Sequence, residues 1–502
     1  MSRLHPFLSL TRHVGQTTCQ YADCLAGSAL AAALAVSITL ALTGCSTPVA
    51  RPSPDLPAKF AAAPASGMEP DVAWWEAFND PVLTDLVRRA MRENRDIKLA
   101  SERLCAARAG ETISRSWLFP SISGSASAAD HSSGYDAATK AAYPDIKSGG
   151  AGLDVSWELD LSGRLRAGAS AAQAQALAAE YGVRGVRLLV MSDVASHYFT
   201  LVGALRQVDT LRAMSAMQDE TLRLVTARQR VGLATAFDVE RARADAESAR
   251  AQIPPLETLA AVSRHRIAVL IGDQAFNAAA IVPSRGDRRV PQPQPGQPAT
   301  LLQRRPDVLE LMAQLDAANA RRQQAAAEWF PRLFLGASYG NQGLELNGVG
   351  LGAARYTNVA ALLTMPLFNA GRTRAINEVA ESGQREALLR TEDGIAHALE
   401  DVENSLVGLS HERQRSASLQ SAVAAADSAL GRAQSLYDRG QIDLLPLLDA
   451  HRVRLTMRLN ANDSNTRLLL DSVQLYKALG GGWQVFDSAP ATATADVVHP
   501  LS

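Results

Sequence analysis

Two long stretches of the chain, 163–231 and 371–439, contain no proline and carry apolar residues at helical spacing. In the first, Val194, Tyr198, Leu201, Leu205 and Val208 step alternately by four and three. In the second, Leu419, Val423, Ala426, Leu430, Ala433 and Tyr437 do the same. A seven-residue apolar repeat, about 3.5 residues per turn, predicts helices wound in a left-handed supercoil. At about 1.5 Å per residue each would be roughly 100 Å long. Gly232 and Gly440 break the two helices at the same register. Further helices are predicted over 237–270, interrupted by Pro254-Pro255, and over 445–479. Ahead of each long stretch the period changes to an alternation of Ser, Gly, Ala and apolar residues. This predicts strand pairs at 121–130 and 151–159, joined by a polar loop near 134–149, and at 332–340 and 358–367. Such segments approach the ~9–11 residues of a tilted membrane strand. The pattern is weak, and two soluble hairpins would give it as well. Nearer the N-terminus, Asp80 is placed to cap a helix begun by Pro81, with Val82, Leu83, Leu86, Val87 and Ala90 on one face. A second helix follows Asn94 and ends near Phe119-Pro120.

These elements occur twice. Gly163 and Gly371, Gly232 and Gly440, and Gly272 and Gly480 are each 208 residues apart, and Phe119-Pro120 precedes Phe330-Pro331 by 211. A constant spacing over more than a hundred residues marks an internal duplication. The predicted organisation is a signal peptide (1–44), an extended tether rich in Pro, Ala and Ser (45–70) and N-terminal helices (71–118). Repeat 1 (119–275), a Pro-rich linker (276–300), repeat 2 (301–482) and a tail (483–502) follow. The fold class is mainly α with a small β part. Four strands cannot close a barrel, and an open sheet edge cannot face lipid, so membrane-crossing strands require several chains to share one barrel. Three copies would supply twelve strands. The helical hairpins, poor in large side chains, likewise need neighbours for their apolar stripes.

Composition narrows the function. Apolar residues make up 47% but aromatic residues only 5%, which suits closely packed Ala-rich helices. A net charge of −1 gives no support to a nucleic-acid surface. His197, His265, His397, His411 and His451 show no repeated metal spacing, and no Gly loop with Lys is present to cradle phosphate. No catalytic set emerges, so the chain is read as a non-enzyme. Arg3 and Arg12 precede an apolar run over 26–42 that ends in Leu42-Thr43-Gly44-Cys45. This is a secretory signal ending in a lipobox, in which the Cys45 thiol is the nucleophile for lipidation. Several acyl chains would give stable anchoring, and Ser46 after Cys45 favours the outer membrane. The alternative is an uncleaved membrane helix, for which seventeen apolar residues are short. The leader is long and carries Asp23, which leaves open a translation start downstream of Met1. Cys19 and Cys24 lie in the leader and Cys105 is left without a partner, so no disulfide is expected. The covalent lipid on Cys45 is the only non-protein group expected.

Trp74-Trp75 with Phe78 and Asp80-Pro81, Arg230-Val231-Gly232-Leu233 with Asp238-Val239, Leu301-Leu302-Gln303-Arg304-Arg305-Pro306-Asp307-Val308, Trp329-Phe330-Pro331 and Leu447-Leu448-Asp449-Ala450 carry a family resemblance. The chain resembles the TolC-like outer-membrane factors, specifically the NodT-type lipoprotein channels of tripartite resistance–nodulation–division efflux systems. The resemblance implies a homotrimer with a twelve-stranded outer-membrane barrel, a twelve-helix periplasmic tube and a belt of short helices, into which Trp74, Trp75 and Trp329 would pack. It implies a passive duct whose energy comes from a proton-driven inner-membrane pump, reached through a periplasmic membrane-fusion adaptor. Gly232, Leu233 and Gly440 would form the tip that meets the adaptor. Leu445 and Asp449, a helical turn apart, would form apolar and carboxylate rings at a periplasmic gate. Pro446 stands where relatives carry an acidic residue, which puts a second carboxylate ring in doubt. Asp238, Tyr437 and Arg439 would be hairpin-locking groups, although Tyr437 also fits the packed stripe. A duct for type I protein secretion and a coiled-coil surface lipoprotein without channel activity are the other readings. The lipobox and Arg-Arg-Pro-Asp-Val favour efflux over secretion, and the paired strands argue against the surface lipoprotein. No Met-rich stretch points to a metal cargo, and the cargo is not legible.

Overall fold

A computed structural model describes residues 49–52, 55–61, 73–273, 275, 281–283, 290–291 and 293–487. Cys45, the leader, parts of the tether and linker, and most of the tail lie outside them. The helices are α1 (Pro81–Glu93), α2 (Arg95–Ser116), α3 (Arg164–Arg230), α4 (Ala236–Ala251), α5 (Ile253–Leu270), α6 (Pro306–Ala326), α7 (Arg372–Asp438) and α8 (Leu444–Ala478). The strands are β1 (Ser121–His131), β2 (Ile146–Leu159), β3 (Arg332–Leu346) and β4 (Val349–Thr364). The two predicted long helices are found within one residue at either end, each 67 residues long. Two compact units divide the chain.

The first unit holds the four strands with residues 114–170 and 318–384. All pairings are antiparallel, in the order β1-β2-β3-β4, so β2 and β3 join the two repeats. Register sorts the side chains onto two faces. Ile122 pairs with Val155, which pairs with Ala337, which pairs with Val359. Leu335 with Ala361 and Leu333 with Leu363 extend the same face. The other face carries Ser123, Ser125, Asp154, Ser338 and Asn358, and the Ser125 hydroxyl donates to Asp154 at 3.0 Å. On the apolar face Ile122, Val359 and Leu363 are more than half exposed. β1 and β4 are exposed along their whole length. The strands differ from the prediction at their ends: β2 begins earlier, at Ile146, and β4 at Val349, while β4 stops at Thr364, short of the predicted Leu367. Added residues such as Ser148-Gly149-Gly150 and Gly352-Ala353-Ala354 carry small side chains without apolar alternation. Trp329, predicted as a packing residue, is 50% exposed. It ends a short 3-10 turn immediately ahead of β3, beyond the buried part of α6.

The second unit, residues 51–113, 171–317 and 385–502, contains the main core. Trp74, Trp75 and Phe78 are fully buried: Trp74 stacks on Tyr476 at 5.4 Å, Trp75 on Phe486 at 5.5 Å, and Phe78 lies 4.8 Å from Phe199. Asp80 caps α1 as predicted, accepting from Val82 and Leu83, and its carboxylate also accepts from the Tyr198 hydroxyl at 2.7 Å. The middle of α3 is long and apolar enough to cross a membrane, but most of it is buried. The predicted stripe is observed: Val194, Tyr198, Leu201 and Val208 are buried, as are Ala426 and Leu430, and the intervening members are partly buried. The Pro/Ala-rich tether is docked where it is described. Phe60 is 1% exposed among Leu301, Val402, Leu406 and Leu475, and Ala61 N–H donates to Glu403 at 2.6 Å.

Equivalent joints close the two repeats. Asn94 and Arg305 occupy matching places, both buried. Asn94 caps α2 and donates to the Leu270 carbonyl at 2.8 Å. Arg305 donates to the Ala478 carbonyl at 3.1 Å and to Ala398 at 3.2 Å, and pairs with Asp307 and Asp401. Leu270 and Ala478 each lie two residues before the duplicated glycines Gly272 and Gly480. Burial opposes the Arg305 charge, but the two carboxylates outweigh it and raise its pKa. This accounts for Arg305 and Asp307 of the Arg-Arg-Pro-Asp-Val stretch.

Candidate functional site

Both long helices end in the same hydrogen-bonded motif. Leu233 N–H bonds the Arg228 carbonyl and Gly232 N–H the Gln229 carbonyl; Gln441 and Gly440 repeat this onto Leu436 and Tyr437. These are Schellman ends, which need a left-handed residue, and Gly232 has φ 78° and Gly440 φ 72°. The chain then turns directly into α4 and α8. α4 is started by a capping box: Thr235 accepts from Asp238 N–H at 3.2 Å, and the Asp238 carboxylate accepts from Thr235 N–H at 2.9 Å.

Between the two breaks lies a cleft of about 390 Å³, lined by Val225, Arg228, Leu233, Asp238, Tyr437 and Leu445 among others. Five sequence-predicted residues line it, Leu233, Asp238, Tyr437, Gly440 and Leu445, and Gly232 is the chain neighbour of Leu233. Leu445 is 50% exposed. Asp449, one turn on, is exposed and paired with Arg452 at 2.6 Å. Arg439 is exposed and lies outside the cleft lining.

The locking candidates separate in the structure. The Tyr437 hydroxyl accepts from the Arg228 guanidinium, whose carbon also sits 5.3 Å from the ring centroid, so Tyr437 joins α7 to α3. Asp238 is committed within its own helix. The Thr235 backbone N–H, then the Thr235 hydroxyl, hold its pKa below the usual carboxylate range. Arg228 escaped the sequence reading because its partner lies across the fold. The duplication held a signal for it, since Arg228 matches Leu436, the neighbour of Tyr437. Among the described residues no cluster of three or more His, Cys, Asp or Glu is arranged for a metal ion.

The family model described as outer membrane efflux protein matches residues 86–273 and 298–481. The chain belongs to the outer membrane efflux protein family. Outer membrane protein OprJ of Pseudomonas aeruginosa is 30% identical over 462 residues, covering 90% of this chain and 95% of that protein. The probable outer membrane lipoprotein SilC of Salmonella typhimurium is 27% identical over 463 residues, covering 90% and 98%. The solved structure of the outer-membrane channel OprN superposes with a TM-score of 0.79 at 29% identity, covering 88% of this chain and 99% of that one. This member of the outer membrane efflux protein family is therefore an outer-membrane channel component of an efflux system. Its two helix breaks are the ends of the duplicated hairpins within the matched region.

Proposed function

We propose that three copies of the chain form one duct, with a shared twelve-stranded barrel and a tube of helical hairpins, through which small toxic solutes leave passively. The four-stranded sheet carries this reading. It has two free edges, β1 and β4, and one continuous apolar face. Strand edges are not tolerated in lipid, and four strands are too few to close. Three sheets joined edge to edge remove every free edge and turn Ile122, Val359 and Leu363 towards lipid. The duct is the outer part of a tripartite pump, with a periplasmic membrane-fusion adaptor at the Gly232, Leu233 and Gly440 tips and a proton-driven inner-membrane transporter as the energy source. Acyl chains on Cys45 anchor it to the outer membrane. Leu445 and Asp449 form the periplasmic gate, with the Arg228–Tyr437 link holding neighbouring hairpins together. No cofactor or catalysis enters the cycle.

Native mass spectrometry of protein solubilised from outer membranes tests the assembly. A trimer with lipid-modified Cys45 is expected, and a monomer would overturn the shared barrel. The gate is tested in planar bilayers. Replacing Leu445 and Asp449 by Ala should raise single-channel conductance, and unchanged conductance would remove them from the gate.

A further inference from the structure

About two turns into α8, His451 is 7% exposed, and its Nδ1 has no hydrogen-bond partner in the protein. Gln218 of α3 has a buried Oε1 in the same condition. Both residues line one cavity of about 20 Å³, together with Thr221 of α3, Ala242 and Asp245 of α4, and Leu448 and Arg452 of α8. That volume fits a single water, which needs two or more polar partners. A neutral imidazole with its proton on Nε2 leaves Nδ1 as an acceptor. One water can then donate to Nδ1 and to Gln218 Oε1 and satisfy both atoms. The three helices meet at this point.

We propose that His451 is a proton-sensing latch, which holds α8 against α3 and α4 while neutral and releases it when protonated. The surroundings favour the neutral ring. From α8, Arg452 lines the cavity, and Arg454 stands nearby with its charge met by Asp427 of α7 at 2.6 Å. From α4, Asp245 is the lining carboxylate. From α3 the lining groups, Gln218 and Thr221, are uncharged, and the neighbouring Asp219 is bound to Arg250 of α4 at 2.5 Å. Burial, and then the Arg454 charge, lower the pKa of His451. A group whose pKa is depressed in the packed state binds its proton more readily once released. Packing is therefore strongest above the free-histidine pKa near ~6.5 and weakens as pH falls below it. His451 lies two residues from Asp449, so release would reach the proposed gate; only that consequence rests on the channel reading.

Backbone hydrogen exchange of residues 445–455 tests the latch on the full purified protein, whether or not it conducts. From about pH 7.5 to about pH 5.5, the opening equilibrium corrected for chemical exchange should rise severalfold, with about tenfold the ceiling for one linked proton. His451→Gln, neutral at both values, should abolish the rise. Gln218→Glu, which sets a carboxylate opposite the imidazole and raises its packed-state pKa, should make it shallower. A flat response in the unaltered protein would overturn the proposal. So would an unchanged rise in either variant, or a His451→Gln protein already open at pH 7.5.

Discussion

Tyr437 does two things that single substitutions can separate. Its ring lies beneath the Arg228 guanidinium, and its hydroxyl accepts a hydrogen bond from it. Tyr437→Phe should keep the cation–π contact and lose the hydrogen bond, costing about 1 kcal/mol of coupling between α3 and α7. Arg228→Met should remove both contacts. A double-mutant cycle on unfolding by denaturant measures the difference, and equal effects of the two changes would contradict it. Asp238 behaves differently. Its pKa is depressed by the capping box, so its contribution is complete above the unfolded Asp value near ~3.9 and fades as pH falls through the lower folded value. Exchange of the first-turn amides of α4 should speed up there in the natural protein and not in Thr235→Ala, whose box is already broken. The Thr-x-x-Asp spacing of that box was present in the sequence. The hairpin-locking role of Asp238 is an expectation from the family resemblance, whereas the hydrogen bonds its carboxylate makes here are those of the box. The Arg228 contact was illegible for a different reason: heptad spacing describes one helix and says nothing of the polar group facing it.

Helix ends were the most legible elements. A Schellman end demands a left-handed residue, and glycine meets that demand at lowest cost, so Gly232 and Gly440 marked both breaks. The same conformation recurs at Gly272, φ 68°, in a crowded place. A Cβ on Gly232 would meet nothing within 4 Å, whereas one on Gly272 would lie 2.5 Å from the Glu93 carbonyl oxygen. Gly232→Ala should therefore cost only the conformational penalty, about 1–2 kcal/mol. Gly272→Ala should lower the unfolding temperature further, through the clash. Strand ends were less legible. Gly352, Ala353 and Ala354 carry side chains too small to register as alternation, and pairing of this stretch with β3 makes it strand. Pro, Ala and Ser content predicts an extended tether but does not tell that Phe60, within it, is buried against Leu301 and Val402.

For the whole molecule, the division of the sheet into two faces is the feature most open to test. Val359 and Asn358 are neighbours in β4 but belong to opposite faces. Arg at Val359 should cost up to about 2–4 kcal/mol if that face meets lipid, and the yield of membrane-inserted protein should fall. Arg at Asn358 should leave insertion largely intact. Equal yields would place neither face in lipid. The duplication made this architecture readable, because matching glycines and strand pairs fix what each half contributes. The number of chains is set by closure, a property no single chain carries. The free edges of β1 and β4 also have a genetic consequence. In the proposed duct of three like chains every subunit is tested at once, so an allele that assembles but does not conduct would act beyond its own share. With equal expression of sound and defective copies, only roughly one assembly in eight would hold three sound chains. Such an allele would be inherited as a dominant trait in a cell that still makes the sound protein.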